Sequence, residues 1–361
     1  MRYETIFLLI PALLSSATSA VTSTAGRKSL RRITKEKNKS QKSSKKDKKK
    51  KKKGEFDITL INVLPSTSEY AWLYDKAFEE CKERWEQIIL NDFPDIPAGT
   101  IPGDIFGGSF ASFGVGPINV DIDDIAVGYV IRPIDGPGKV LGFAGPRYYR
   151  LDAGYDDKNN LTPKYSTVSA IMVFDSDDFD KIIQVVGVER GYEMVKAIIL
   201  HELAHALGFG ASTQFVCGYL CHMNITDLYG CGKANTEYMD IFDLDEPTLR
   251  LSSATGTCDH WTEDSFESKY QSELLTPFFN ADKRNPLTAV SIAAMADMGY
   301  KVDMKAADPW YEDKYFEEKG LAQHYQNSTT PMKKNSMVLE LSSQNMLRLS
   351  APQKLELPLG Q

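Results

Sequence analysis

Residues 201–210 read HELAHALGFG, and one turn of an α-helix would separate His201 from His205. Positions i and i+4 of a helix project from one face, so both imidazoles can reach a single metal ion. Glu202 would then lie beside that ion, where its carboxylate can take a proton from an activated water. The chain has only five histidines, so this spacing predicts a catalytic zinc site with Glu202 as general base.

The alternative is a packed helix without metal, whose histidines bond to each other or to the backbone. Burying three ionisable groups without a compensating ion is costly, which favours the metal site. The surrounding segment 190–207 is apolar on nearly all sides after its first turns, which predicts a buried helix. Gly208 and Gly210 are expected to end it.

The preceding sequence predicts strands and one amphipathic helix. Strand-like runs lie at 56–64, 125–134 and 170–175, and the helix lies near 68–90. The apolar stripe of this helix contains Cys81, which is most simply a core thiol. Together with a further helix at 289–300, this pattern predicts an α+β domain at 55–302 with a cleft between its halves, 55–210 and 211–302.

The third zinc ligand is less constrained by sequence. Catalytic zinc takes three protein ligands and keeps one position open for water, and the remaining histidines are His222, His260 and His324. His324 falls in a polar C-terminal region, and His222 has no distinctive neighbours. A disulfide at Cys258 could fix the backbone of His260, which makes His260 the preferred candidate. A carboxylate from a following helix is the other solution, although the acidic residues after His205 form no clear helical stripe.

The cysteines indicate an oxidising compartment. Four of the five lie within 42 residues: Cys217, Cys221, Cys231 and Cys258. Four clustered cysteines in an exported protein predict two disulfides, with three connectivities open. A cysteine zinc site is the rival interpretation, but the paired CxxC spacing is missing.

The N-terminal region predicts export. Residues 1–20 have the charged start, short apolar run and small-residue end of a signal peptide. Three sequons could then carry glycans, at Asn160, Asn224 and Asn327. No later stretch approaches the ~20 apolar residues of a transmembrane helix, so the protein is expected to be secreted.

A disordered polybasic arm is predicted at 21–54. Residues 1–53 hold 17 of the 42 basic and 3 of the 49 acidic residues, so residues 54–361 carry a net charge of −21. The basic run at 27–53 could bind polyanions or anionic surfaces without sequence preference. A flexible or removable spacer explains it equally well, and a nucleic-acid arm is the reading if residues 1–20 are not a signal. We expect no sequence-specific nucleic-acid partner.

Several stretches resemble one family. HELAHALG is followed by a long insertion and then by HWTEDSF (260–266), SELLTP (272–277) and NPLTAVSIAAMADMGYKVD (285–303). These resemble the leishmanolysin-like branch of the metzincin zinc endopeptidases. The short metzincin motif has its third histidine three residues after the glycine, where this chain has Ala211. Here 51 residues separate Gly208 from His260, and such an insertion is typical of the leishmanolysin branch.

The resemblance implies a metzincin-type zincin fold over 55–302, with a mixed sheet and the active-site helix in the N-terminal half and a loop- and helix-rich, disulfide-containing C-terminal half. It implies His201, His205 and His260 as zinc ligands, Glu202 as general base and Gly208 at the turn leaving the metal. The family's methionine beneath the zinc is replaced by Leu275, a swap of similar volume. A protein or peptide substrate would lie in the cleft and pair with an edge strand near 168–174.

A catalytically inactive zincin-fold binding or adhesion protein is the alternative function, based on Leu275 and the polybasic arm. Against it, a scaffold freed from catalysis has no reason to keep Glu202. Acidic runs at 121–124 and 152–157 could hold calcium, although solvated surface is the simpler interpretation. Residues 303–361 form a polar C-terminal extension without a motif.

Overall fold

A mixed β-sheet and a layer of helices build the N-terminal half of the chain. The computed structural model describes residues 55–151, 163–217, 227–252 and 258–321, and the backbone of two strand segments, 339–340 and 353–355. The predicted signal peptide at 1–20 and the polybasic arm at 21–54 lie outside these residues. So do the three sequon asparagines and the acidic run at 152–157.

Four strands form the sheet: β1 (Ile58–Leu64), β2 (Ile125–Arg132), β3 (Gly142–Arg150) and β4 (Thr167–Asp175). Their order is β1-β2-β4-β3, with β1, β2 and β4 parallel and β3 antiparallel to β4. The predicted α+β class is confirmed, and three of the strands coincide with the predicted runs. The sheet is mixed, as the family resemblance implied.

The prediction that the strand near 168–174 is an edge strand is wrong. β4 lies between β2 and β3, so its backbone groups are bonded on both sides. β3 lies on the far side of β4 from β2, and sequence reasoning missed it because Gly142, Gly145 and Pro146 disfavour a strand. The ladder between β3 and β4 is irregular after Pro146, which is where a strand tolerates proline.

Three helices cover one face of the sheet: α1 (Ala71–Ile88), α2 (Ser176–Val186) and α3 (Val188–Ala206). The predicted apolar stripe of α1 is confirmed, since Phe78, Cys81 and Trp85 are all buried. The Cys81 thiol is free and donates to the carbonyl of Lys196 in α3, 3.2 Å away. The Trp85 indole N–H donates to the Leu200 carbonyl at 3.1 Å. α1 therefore supports α3 along its length.

α3 is the central helix of the domain. The segment Val188–Thr213 is long and apolar enough to cross a membrane by length and composition, but 78% of its apolar window is buried inside the protein. A helix enclosed by a sheet on one side and helices on the other must be apolar nearly all round. Its composition therefore reflects a core position.

The opposite face of the sheet is covered by irregular chain between residues 96 and 122. Phe106 and Phe110 pack here against β2 and β4, in a second apolar cluster with Val130 and Val173. Gly128 in β2 makes room for them, because a Cβ there would lie 2.6 Å from the Phe110 ring. Burial on both faces explains why nearly every residue of β2, β3 and β4 is buried.

The C-terminal half consists of short elements. In chain order they are α4 (Ala211–Cys217), β5 (Asp227–Leu228), α5 (Gly232–Phe242), β6 (Arg250–Ser252), β7 (His260–Trp261), β8 (Phe278–Phe279), α6 (Ala289–Asp297), α7 (Asp313–Glu318), β9 (Leu339–Glu340) and β10 (Gln353–Leu355). β5, β6 and β7 form an antiparallel sheet. β9 pairs with β8, and β10 pairs in parallel with the last three residues of β3.

One disulfide lies among the described residues, between Cys217 and Cys231, with Cα atoms 5.2 Å apart. It joins the end of α4 to the start of α5. Cys258 is also disulfide-bonded, and Cys221 lies outside the described residues. The prediction of disulfide-bonded cysteines in this half is thus confirmed for three of the four.

The chain continues to pack after residue 302. The Asp303 N–H donates to the Ile88 carbonyl at 2.8 Å, and Arg84 donates to the Ala306 carbonyl and pairs with Asp308. Phe316 in α7 is fully buried, at 1% exposure. Residues 303–321 therefore contribute contacts to the domain that carries the metal motif.

The close packing of α2 on α3 predicts that Gly191→Ala destabilises the protein. A Cβ at Gly191 would lie 2.7 Å from the Cα of Ile183, a backbone atom that cannot move aside. We expect the free energy of unfolding in urea to fall by about 1–3 kcal/mol, as for overpacked cores. Gly232→Ala is the matched control, since a Cβ there meets nothing within 4 Å. An equal change in both variants would contradict this account.

Candidate metal centre

His201 and His205 lie in the last two turns of α3 and are 1% and 5% exposed. Their burial follows from the position of α3 between the sheet and the C-terminal half. The i, i+4 spacing places both rings on one helix face, with centroids 4.7 Å apart. The helical arrangement predicted from HELAH is confirmed.

Two glycines shape the exit of the chain from α3. Gly208 has φ +115°, and Gly210 has φ +84°, conformations that side chains rarely adopt. The predicted turn at Gly208 therefore exists. Gly210 lies against the residue before His260, because a Cβ at Gly210 would lie 2.4 Å from the Cβ of Asp259. Gly210 thus permits the strand carrying His260 to approach the end of α3.

His260 comes from β7 in the C-terminal half. β7 pairs with β6 on one side, and the Trp261 N–H donates to the Leu275 carbonyl at 2.9 Å. Leu275 is fully buried beneath this strand. The disulfide-bonded Cys258, with φ +51°, precedes the histidine by two residues. His260 is 1% exposed and meets the two α3 histidines.

The three imidazoles converge through their Nε2 atoms. The distances are 2.9 Å between His201 and His205, 3.1 Å between His205 and His260, and 3.2 Å between His201 and His260. Ligands of a tetrahedral zinc ion, each about 2.0–2.1 Å from the metal, lie about 3.3 Å apart. The three histidines therefore form a group that can hold one metal ion.

Each Nδ1 atom faces an acceptor on the side away from this convergence. The His201 Nδ1–H donates to the Leu274 carbonyl at 2.6 Å, and the His205 Nδ1–H donates to the Phe209 carbonyl at 3.1 Å. The His260 Nδ1–H donates to the Asp259 carboxylate at 2.7 Å. Since carbonyl and carboxylate oxygens only accept, the hydrogens lie on Nδ1. All three Nε2 atoms then present lone pairs to one another, the arrangement that a bound cation requires.

The protein environment keeps the α3 histidines neutral. Burial, and then the charges that the neighbouring histidines would carry, hold the pKa of His201 well below its usual value. Burial and His260 lower the pKa of His205 to about 4. Metal ligation requires the neutral imidazole, so at neutral pH these residues are already in the binding form.

Glu202 is buried beside this group, at 1% exposure. Burial, followed by the charge of Asp259, raises its pKa well above the usual value. A bound cation would act in the opposite direction and favour the carboxylate. Glu202 is therefore a carboxyl group whose proton affinity depends on whether the histidines hold an ion.

The other sequence candidates divide into two groups. His222 and His324, the rival third ligands, lie outside the described residues together with Cys221. Among the described side chains, Glu237, one of the acidic residues after the helix, is not a member of the histidine group. Among the described residues, the structure brings together His201, His205 and His260.

Sequence reasoning missed the residues that hold the histidines in place. Asp259 forms a carboxylate–histidine pair of the kind that orients metal ligands, and its position next to His260 was the only available signal. Leu274 holds His201 through its main-chain carbonyl, and the identity of a side chain does not predict such a contact. Glu273, before it in the chain, lies within the SELLTP stretch (272–277) and was assigned no role from sequence.

A second acidic group lies away from the histidines. Asp92, Asp123 and Asp124 bring carboxylate oxygens within 4.8 Å of one another. Asp124 is fully buried, so solvated surface is wrong for this residue. Its carboxylate accepts the backbone N–H groups of Asp57 and Phe93, which gives it a structural role. Calcium at this position stays a prediction.

In comparisons with known proteins, no family model matches the chain, and no curated protein sequence is significantly similar to it. A triad on a long buried helix beside a mixed sheet is consistent with a zincin-like site. The group suggests a metallohydrolase. The resemblance to leishmanolysin-like enzymes rests on the sequence motifs alone.

His260→Ala is expected to lower zinc affinity by more than about 100-fold. The loss of a direct ligand should exceed the 10–100-fold effect of losing an outer partner. The dissociation constant is measured by competition with a chromophoric chelator, and folding is checked by circular dichroism. His222→Ala and His324→Ala, which change the rival ligands, should bind zinc as the wild type does. Wild-type affinity in His260→Ala would exclude it as a ligand.

Proposed function

We propose that this chain is a secreted zinc-dependent endopeptidase. One observation carries the proposal: three imidazoles direct their Nε2 atoms at one point. Three nitrogen ligands with a fourth position for water are the donor set of catalytic zinc in hydrolases. A structural zinc site would more often use four protein ligands, commonly cysteines.

His201, His205 and His260 would hold the zinc ion. When bound, zinc lowers the pKa of water to about 7 and polarises the carbonyl of the scissile bond. Asp259 holds the His260 ring through its 2.7 Å hydrogen bond. The Phe209 and Leu274 carbonyls hold the other two rings. Their contribution is to fix three donors before the metal arrives.

Glu202 would act as general base and then as general acid. Its carboxylate would take a proton from the attacking water and pass it to the leaving amine. Two features support this role: its position next to His201 on α3 and its burial beside Asp259, which makes its proton affinity high for a glutamate. A base with raised proton affinity transfers protons near neutral pH more readily than an exposed one.

The substrate would be an extended peptide lying along β3. β4 cannot pair with it, because both of its edges are occupied. Within the described residues, β10 pairs only with Tyr148–Arg150, so the edge of Gly142–Pro146 has no strand partner. Main-chain hydrogen bonds along such an edge bind peptides with little regard for sequence. This replaces the strand at 168–174 as the proposed docking edge.

Secretion and a polyanion contact complete the proposal. The disulfide between Cys217 and Cys231 supports passage through an oxidising compartment. The polybasic run at 27–53 would bind anionic surfaces, and the acidic remainder of the chain, with its net charge of −21, would not. Sequencing the N-terminus of the exported protein tests secretion and shows whether the polybasic run is retained, and retention on a heparin column tests the polyanion contact.

Glu202→Gln is expected to keep zinc and lose peptidase activity. General base catalysis contributes about 10²–10⁴-fold, so kcat/KM for an unfolded protein substrate should fall by at least about 100-fold. The full exported chain is assayed, with zinc content measured on the same samples. Glu189→Gln is the matched control, an exposed glutamate of the same helix.

The outcomes separate the candidate functions. Activity in the wild type and in Glu189→Gln, together with a zinc-loaded but inactive Glu202→Gln, supports the endopeptidase. Zinc binding without hydrolysis in every form, including the wild type, favours the binding or adhesion protein. Wild-type hydrolysis by Glu202→Gln contradicts the role given to Glu202.

A further inference from the structure

Glu273 is a buried carboxylate surrounded by neutral donors. It is 1% exposed, and its Oε1 accepts the Thr288 N–H at 3.1 Å, the Thr288 hydroxyl at 3.0 Å and the Ser291 hydroxyl at 2.6 Å. Its Oε2 accepts the Leu275 N–H at 2.5 Å. Burying a carboxylate is costly, and these four bonds offset the cost. Three of them join the turn at 273–276 to the start of α6, and the Leu275 bond lies within the turn.

The bond to Leu275 has a consequence at the metal centre. The Leu275 N–H and the Leu274 C=O belong to one peptide group, and in a trans peptide they point in opposite directions. Glu273 accepts from the N–H end, while the C=O end accepts from the His201 Nδ1–H at 2.6 Å. A continuous chain of hydrogen bonds thus runs from the Glu273 carboxylate through one peptide plane to His201.

Such a chain transmits charge as well as position. A carboxylate bonded to the N–H polarises the peptide group, which increases the negative charge on its carbonyl oxygen. That oxygen then holds the His201 Nδ1–H more firmly and makes Nε2 a stronger donor to a metal. The effect is the same in kind as that of Asp259 on His260, with one peptide group interposed.

Glu273 also contacts the support of the third histidine. The Ser291 hydroxyl that donates to Glu273 accepts the Trp261 indole N–H at 2.8 Å. The Trp261 backbone N–H donates to the Leu275 carbonyl in the same turn. His260 directly precedes Trp261, so Glu273 anchors the turn from which both His201 and the β7 strand are positioned.

We infer that Glu273 is a positioning residue for the metal centre, acting as the outer carboxylate of His201 through the Leu274–Leu275 peptide group. The inference rests on the metal site of the proposed function. Glu273 would contact neither the ion nor the substrate, and it would still change the affinity of the site for metal.

Burial raises the pKa of Glu273 to about 7, so the comparison is made at pH 8.5, where Glu273→Gln keeps the shape of the side chain and removes its charge. We expect the zinc dissociation constant of the full chain to rise by about 10–100-fold, the range for outer partners of metal ligands. We also expect the His201 Nδ1–H proton resonance to move upfield, since its hydrogen bond weakens. Both are measured on zinc-loaded protein by chelator competition and nuclear magnetic resonance.

Ser291→Ala is the matched control for a merely structural role. It removes one hydrogen bond to Glu273 and the acceptor of the Trp261 indole N–H, and it leaves the carboxylate and the Leu275 contact in place. It should lower stability in urea while changing the zinc dissociation constant by less than about threefold. If Ser291→Ala weakens zinc binding as much as Glu273→Gln does, the stability of the turn sets the affinity and the inference is wrong. Wild-type zinc affinity in Glu273→Gln also overturns it.

Two further measurements keep the test decisive if Glu273→Gln does not fold. Glu273→Asp retains the charge but is one methylene shorter, so its bond to Leu275 should be lost and zinc affinity reduced; unchanged affinity overturns the inference. In the wild type, the His201 Nδ1–H must exchange slowly with solvent and resonate downfield. A rapidly exchanging proton would also overturn the inference.

The failure of the proposed function is distinguishable, because none of these readouts requires turnover. A wild type that binds zinc without cleaving protein leaves the Glu273 test intact. A wild type that binds no zinc ends the proposed function. The inference is then judged from the His201 Nδ1–H resonance of the metal-free protein, which must still respond to Glu273→Gln.

Discussion

The mutual approach of three imidazole nitrogens is the constraint on which this structure depends. The Nε2 atoms of His201, His205 and His260 lie 2.9–3.2 Å apart, and each ring directs its N–H away from the others. Lone pairs at this distance repel unless a cation lies between them. Because two histidines come from α3 and one from β7, a bound ion would join the two halves of the domain and stabilise the fold as well as the site.

The remainder of the domain holds α3 rigid. The sheet packs on one side of this helix, α1 and α2 pack on another, and the disulfide between Cys217 and Cys231 fixes the chain soon after it. This enclosure explains a helix apolar enough to resemble a membrane span. Ligands on a buried helix have few alternative rotamers, so metal binding costs little conformational entropy.

Local periodicity allowed the sequence to predict some parts of the structure and not others. The helical spacing of His201 and His205, the buried stripe of α1 and three of the strands depend on residues close in sequence. Strand order, the interior position of β4 and the close packing of Asp259 against Gly210 depend on contacts between residues distant in sequence. β3 was missed because its glycines and Pro146 resemble a loop, and Pro146 lies where the ladder to β4 becomes irregular. The contact of the Leu274 carbonyl with His201 could not be predicted from sequence, since it depends on the direction of the backbone.

The charges around the histidines favour a divalent cation over an empty pocket. Glu202 and Asp259 are both buried here, and each carboxylate makes ionisation of the other more costly. His201 and His205 do not balance them, because burial lowers the pKa of both residues and favours the neutral rings. A dication would satisfy three lone pairs and compensate two carboxylates at once. Asp259 is bonded to His260, and in the proposed function Glu202 is the carboxylate that would move protons.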